Sequence, residues 1–162
     1  MQKTIVISIL LILVLCSCDV LDLLREQPDV EVKFKDLTPL GLNSNTNTLD
    51  LLAKWDVTNK GSATIPRTKI DWKLYLNDYA NHFAEGIPEV DTRIEGGETK
   101  TLDIPVNIGI QKIIEQGSSI IAGYYLGQRN VKYKIVMKIS ILNVPLIERS
   151  ENGTFTLPSG VF

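Results

Sequence analysis

The chain has 162 residues, 44% hydrophobic and 22% charged, with 17 basic and 19 acidic side chains and a net charge of −2. That length suits one domain plus a short segment outside it, and that charge excludes a generally basic nucleic-acid binder. Two cysteines and one histidine are too few for a four-ligand zinc cage of the usual kind.

Lys3 precedes an apolar run from Ile5 to Leu15, broken once by Ser8. As a helix the run covers roughly 16 Å at ~1.5 Å per residue. A bilayer core is about 30 Å thick, so the run is too short to span and has the layout of a secretory signal. Leu15-Cys16-Ser17-Cys18 follows. It resembles a bacterial lipobox, in which a small residue precedes the cysteine that is acylated and becomes the new N-terminus. The resemblance points to Cys18, because Ser17 is the small residue before it. It implies a signal peptide over 1–17, a lipidated N-terminus and tether over 18–27, and a domain over 28–162. The partner implied is a membrane, reached through lipidated Cys18, and the location is the bacterial cell envelope, inner or outer membrane left open. Processing would remove Cys16 and leave Cys18 as the sole cysteine, so no disulfide is expected. Two acyl chains make a stable anchor where one is marginal.

Asp19 to Gln27 can form two helical turns with Val20, Leu23 and Leu24 on one side, ended by Pro28. From Val30 the apolar period becomes two. Val30, Val32 and Phe34 alternate with charges, and Leu49, Leu51, Ala53, Trp55 and Val57 alternate with polar residues except at Leu52. Ile70, Trp72, Leu74 and Leu76 follow the same rule, then Leu102, Ile104 and Val106, then Val131 through Ile141. Such strands have one buried and one wet face, as in antiparallel sheets. Trp55 and Trp72 are expected inside, on neighbouring strands.

Between the strands, Gly41–Thr48 reads as a polar loop, and Asn59-Lys60-Gly61-Ser62 and Glu95-Gly96-Gly97-Glu98 as tight turns. Asn152-Gly153 reads as a hairpin turn whose central positions need positive φ. Asn152-Gly153-Thr154 also matches a glycosylation sequon, which the turn reading outweighs. Asn107–Gln116 breaks the period: Ile110, Ile113 and Ile114 have helical spacing, with Asn107 as N-cap and Gly117 as stop. About seven short strands and one short helix predict an all-β, antiparallel two-sheet sandwich of the immunoglobulin or fibronectin-III kind.

The order of these pieces resembles a known family. Pro28-Asp29-Val30-Glu31-Val32 opens the domain, a polar loop follows, and Leu49–Asn59 ends in an asparagine turn. Ile70-Asp71-Trp72-Lys73-Leu74-Tyr75-Leu76-Asn77, Val131-Lys132-Tyr133 and Asn152-Gly153-Thr154-Phe155 complete the pattern. This looks like the LEA-2 (late-embryogenesis-abundant) type with its WHy, or water stress and hypersensitive response, domain. Asn59 matches the first asparagine of that family's Asn-Pro-Asn, while Lys60, Gly61 and Asp78 depart from its pattern. The resemblance implies a folded sandwich, a link to desiccation or osmotic stress, and no catalytic residues.

His82 has no cysteine or activated serine as partner in the sequence pattern and reads as a strand or loop residue. There is no Gly-x-Ser-x-Gly elbow and no P-loop. Asp50 and Asp56 fall on one wet strand face and read as solvated charges. No catalytic residue, cofactor or metal site is expected. Lys132, Lys134 and Lys138 share an outer face, where they suit either anionic headgroups or plain solvent. Two other functions remain in view: a module that docks an envelope protein, and a binder of a small apolar ligand between the sheets.

Overall fold

In the computed structural model the described residues are 29–65, 68–77, 80–86, 89–90, 93–141 and 144–162. The signal over 1–17, Cys18 and the tether through Gln27 lie outside them. The alternating segments form strands because each can bury its apolar side against a second sheet. In chain order these are β1 (Val30–Asn43), β2 (Thr48–Asn59), β3 (Thr68–Leu76), β4 (Ala84–Gly86), β5 (Glu89–Val90), β6 (Thr99–Gly109), β7 (Asn130–Ile141) and β8 (Val144–Thr156). Helices α1 (Ile110–Gln116) and α2 (Ser118–Tyr125) link β6 to β7.

One sheet has the order β1-β2-β6 and the other β4-β3-β7-β8, with β5 also pairing to β3. Every pairing is antiparallel. The result is the two-sheet sandwich that the period of two predicts. Trp55 is fully buried on β2 and Trp72 is 6% exposed on β3. Both face inward as expected, but from opposite sheets, because the chain crosses the sandwich between β2 and β3. Leu49, Leu51, Ile70, Leu74, Ile104, Ile108 and Ile135 fill the space between them. Phe34 meets Trp55 edge to face at 4.9 Å.

Four sequence expectations need correction. Asn107 is not an N-cap. The period of two runs on through buried Ile108, so Asn107 stays in β6 with its side chain outward, and α1 starts at Ile110 behind uncapped Gly109. Gly117 does end α1, its N–H bonding Ile113 O at 2.7 Å, but a second helix follows at once. That helix hides Ile120 and half-buries Ile121 and Tyr124, a short apolar stripe that gives little periodic signal. The Gly41–Thr48 loop is also shorter than expected: β1 continues through two bulges to Asn43, and only Ser44–Asn47 turn.

The fourth correction concerns Asn152-Gly153, which is no turn. Both residues lie inside β8, opposite Lys134 and Tyr133. Gly153 is required by a close approach: a Cβ there would sit 2.5 Å from Cζ of Tyr133. The other edge of this sheet repeats the arrangement. Gly86 lies opposite Trp72, and a Cβ there would come within 2.9 Å of the indole. Each central strand therefore lays an aromatic ring across a glycine of its edge neighbour, a pairing that restores the contacts glycine lacks.

Gly153→Ala is accordingly expected to destabilise the domain by about 1–3 kcal/mol, the usual cost of overpacking. Urea unfolding would measure it. The loss should shrink in a Tyr133→Phe background, since part of the collision is with the phenol.

Candidate functional site

The strands run between two ends of different character. Asp29, where the described chain begins, sits at the end that also carries the β2–β3 crossing and the turn before β6. Its carbonyl accepts the Lys60 N–H at 2.7 Å. Asn59 organises this end. It is fully buried, and its amide nitrogen donates to Ala63 O at 2.7 Å and Ile94 O at 3.1 Å. Its side-chain oxygen accepts the Gly61 N–H at 3.1 Å. The Glu95–Glu98 turn forms as expected, with Glu98 N–H on Glu95 O at 3.0 Å and Gly97 at φ 76°. Gly97 N–H then bonds Asn59 O at 2.8 Å. Lys60 pairs with Glu31 at 2.9 Å, which holds that carboxyl below its ordinary range.

The opposite end carries α1, α2 and the Ser44–Asn47 turn. Here Asp50 pins three strands. It accepts from Thr48 Oγ1 at 2.6 Å, Asn107 Nδ2 at 2.7 Å and Asn43 Nδ2 at 3.1 Å. The Thr48 and Asn107 bonds hold the Asp50 carboxyl low, and the Asn43 bond adds to them. Asp56 accepts from Thr101 at 2.6 Å and pairs with Lys35 at 3.3 Å. The two carboxylates lie on the outer face as predicted, but each is tied into its own bonds rather than simply solvated.

His82 is half-buried; its Nε2 lies 3.1 Å from Glu85 Oε1, and its ring stands nearly perpendicular to Tyr75 at 6.4 Å. It therefore steadies the flank of the second sheet. Among the described residues no group of three His, Cys, Asp or Glu could hold a metal ion, and no helix is long and apolar enough to cross a membrane.

Two adjoining hollows lie on the outer face of the second sheet. A hollow of about 660 Å³ is lined by Tyr75, Ala80, Lys132, Lys134, Asn152 and Thr154. A second, of about 390 Å³, adjoins it over Asp71, Lys73, Val136, Lys138 and Glu148, sharing Tyr75 and Lys134 with the first. The register builds this trough. Tyr75, Lys134 and Asn152 form one row across β3, β7 and β8, and Asp71, Lys138 and Glu148 form another. The predicted lysine face is thus present. The sequence reading missed Tyr75, Asn152 and Thr154 as its companions. Alternation along β8 from inward-facing Phe155 puts Thr154 and Asn152 on the outer face and would have placed both.

No protein-family model matches the chain, and no curated protein matches it in sequence. Solved structures do share its fold. A protein of Arabidopsis thaliana solved in solution has a TM-score of 0.61 at 19% identity, covering 82% of this chain and 83% of its own. A solution structure provisionally described as a late embryogenesis abundant (LEA) protein has a TM-score of 0.56 at 24% identity, over 99% of this chain and 88% of its own. A crystal structure from Archaeoglobus fulgidus has a TM-score of 0.54 at 15% identity, over 80% of this chain and 96% of its own.

Two measurements probe these nodes. Asn59→Ala leaves buried carbonyl and N–H groups unpaired and should cost about 2–3 kcal/mol in urea unfolding. Asn59→Asp would face those carbonyls with an acceptor and should weaken further as pH rises. Asp50 acts in the opposite direction. Its folded pKa lies below its unfolded value, so its stabilisation is present above the unfolded value, about 3.9, and is lost as pH falls through the folded one. Asp50→Asn should therefore show a smaller drop in melting temperature between pH 5 and pH 2.

Proposed function

We propose that this chain is a lipid-anchored, non-enzymatic domain of the bacterial cell envelope with a protective role of the LEA-2 kind under desiccation or osmotic stress. The observation that carries this reading is the shared sandwich fold with a protein described as late embryogenesis abundant, covering nearly the whole chain. The lipobox-like Leu15-Cys16-Ser17-Cys18 supplies the anchor, and two acyl chains on Cys18 would hold it stably. About ten residues separate Cys18 from the first strand, a reach of at most ~35 Å. The Asn59 end would then sit nearest the membrane and the helices farthest from it.

The far end favours a second reading, a docking module for another envelope protein. Leu40, Ile114, Tyr125 and Leu126 are exposed there, Tyr125 at 72% and Leu126 at 78%. Exposed apolar side chains of this size are common at protein contacts when they form a patch.

Cys18→Ala should abolish incorporation of labelled fatty acid and move the protein from the membrane to the soluble fraction. Continued labelling of that variant would sink the anchor. A deletion strain should survive drying less well than its parent, and the intact chain should restore survival. Unchanged survival after drying and osmotic shock would overturn the protective role.

A further inference from the structure

We propose that the trough on the outer face of β4-β3-β7-β8 binds a segment of carboxylated polysaccharide. The chain as a whole is acidic, yet this face concentrates lysines. They are not equivalent. Lys138 stands in a row with Asp71 and Glu148, and Lys73 lies 3.9 Å from Glu85. Among the described residues, Lys132 and Lys134 have no ion-pair partner and no carboxylate lines the hollow around them. Positive charge is therefore uncompensated at one end of the trough, where an anion gains most.

The remaining lining selects the kind of anion. Thr154 lies opposite Lys132 and Asn152 opposite Lys134, so each ammonium has a neutral hydrogen-bonding group beside it. A hydroxyl and an amide offer the mixed donors and acceptors that sugar hydroxyls require. The Tyr75 ring borders both hollows and is braced by His82, which is itself held by Glu85. An aromatic ring offers an apolar surface to the C–H face of a sugar. Both volumes lie within the ~300–1,000 Å³ of small-ligand sites, and their shared border makes one elongated groove suited to a chain of rings.

Two other anionic occupants fit less well. An acidic peptide would dock through a sheet edge or through apolar anchors. The trough lies on a sheet face, and the cationic hollow contains no aliphatic side chain larger than Ala80 apart from the lysine stems. A membrane surface is flat, whereas this site is concave. With the Asn59 end nearest the membrane, as the proposed anchor implies, Lys132 also lies near the far, helix end of β7, about 30 Å along the strand from its other end at ~3.3 Å per residue. That exceeds the ~8–10 Å screening length several times over.

The test is isothermal titration of the full chain in detergent with a hexamer of galacturonic acid, using a neutral galactose hexamer as comparator. Sedimentation with phosphatidylglycerol and phosphatidylcholine vesicles runs alongside. The acidic hexamer should bind with salt-dependent affinity and the neutral one should not. Lys132→Gln combined with Lys134→Gln should weaken binding about tenfold or more, and Tyr75→Ala should weaken it separately. Lys54→Gln, on the outer face of the other sheet, should change it less than about twofold. Unchanged melting temperatures would establish that the variants fold. No binding of the acidic hexamer overturns the proposal, as does equal binding by the double variant. Lysine-dependent sedimentation with phosphatidylglycerol alone would also overturn it, making this face a membrane contact. Cys18→Ala should leave hexamer binding intact, so this proposal and the anchor stand or fall separately.

Discussion

The buried amide of Asn59 is the constraint on which the two sheets depend. Both of its N–H groups and its oxygen are bonded to main chain. Those partners belong to three different stretches: the turn after β2, the approach to β3 and the approach to β6. A single side chain thus fixes the crossing from one sheet to the other and the return. In a fully buried position such bonds are hard to replace, because each group released there has no water to turn to. The Ile65–Ile94 bridge continues the same link, with main-chain bonds of 2.8 and 3.0 Å. What encloses Trp55 and Trp72 is therefore closed by a polar clasp at one end and by two short helices at the other.

Around this frame the surfaces divide. On the β1-β2-β6 face, Asp50 and Asp56 are drawn into hydrogen bonds with Thr48, Asn107, Asn43 and Thr101, so much of their charge is already answered. On the opposite face, Lys132 and Lys134 at the helix end have no ion-pair partner among the described residues. The free edges are blunted in the usual ways: β1 carries two bulges and Pro39, β6 carries Pro105, and β8 carries Pro145 next to a bulge at Leu146. Recognition is thereby directed toward faces and ends rather than toward addition of a further strand.

Much of the fold was legible because burial on one side leaves its mark at every second residue. β2, β3, β6 and β7 follow that mark almost without exception. The failures came where a residue type has two physical uses. Asn107 suits a helix cap and also a cross-strand bond to Asp50; only the continued alternation through Ile108 separates them. Asn152-Gly153 suits a tight turn and also a strand facing a large ring; only the partner, Tyr133, separates those. Trp55 and Trp72 read correctly as core, but nothing local says that consecutive strands belong to different sheets. The candidate site was half legible for the same reason. Lys132 and Lys134 announce an outer face by their spacing, whereas the hollow needs Tyr75 from β3 and Asn152 from β8, which pairing alone brings together.

The two ring-over-glycine contacts have a consequence for how the second sheet assembles. Sliding β8 along β7 by two residues keeps every side chain on its proper face, so hydrophobic patterning by itself would tolerate the slip. It would also bring Glu151 or Phe155 opposite Tyr133, where only the absence of a side chain admits the ring. Gly86 measures off β4 against Trp72 in the same manner. The smallest residues on the two margins thus act as alignment marks, and a misthreaded sheet is rejected by collision before it can be stabilised by burial.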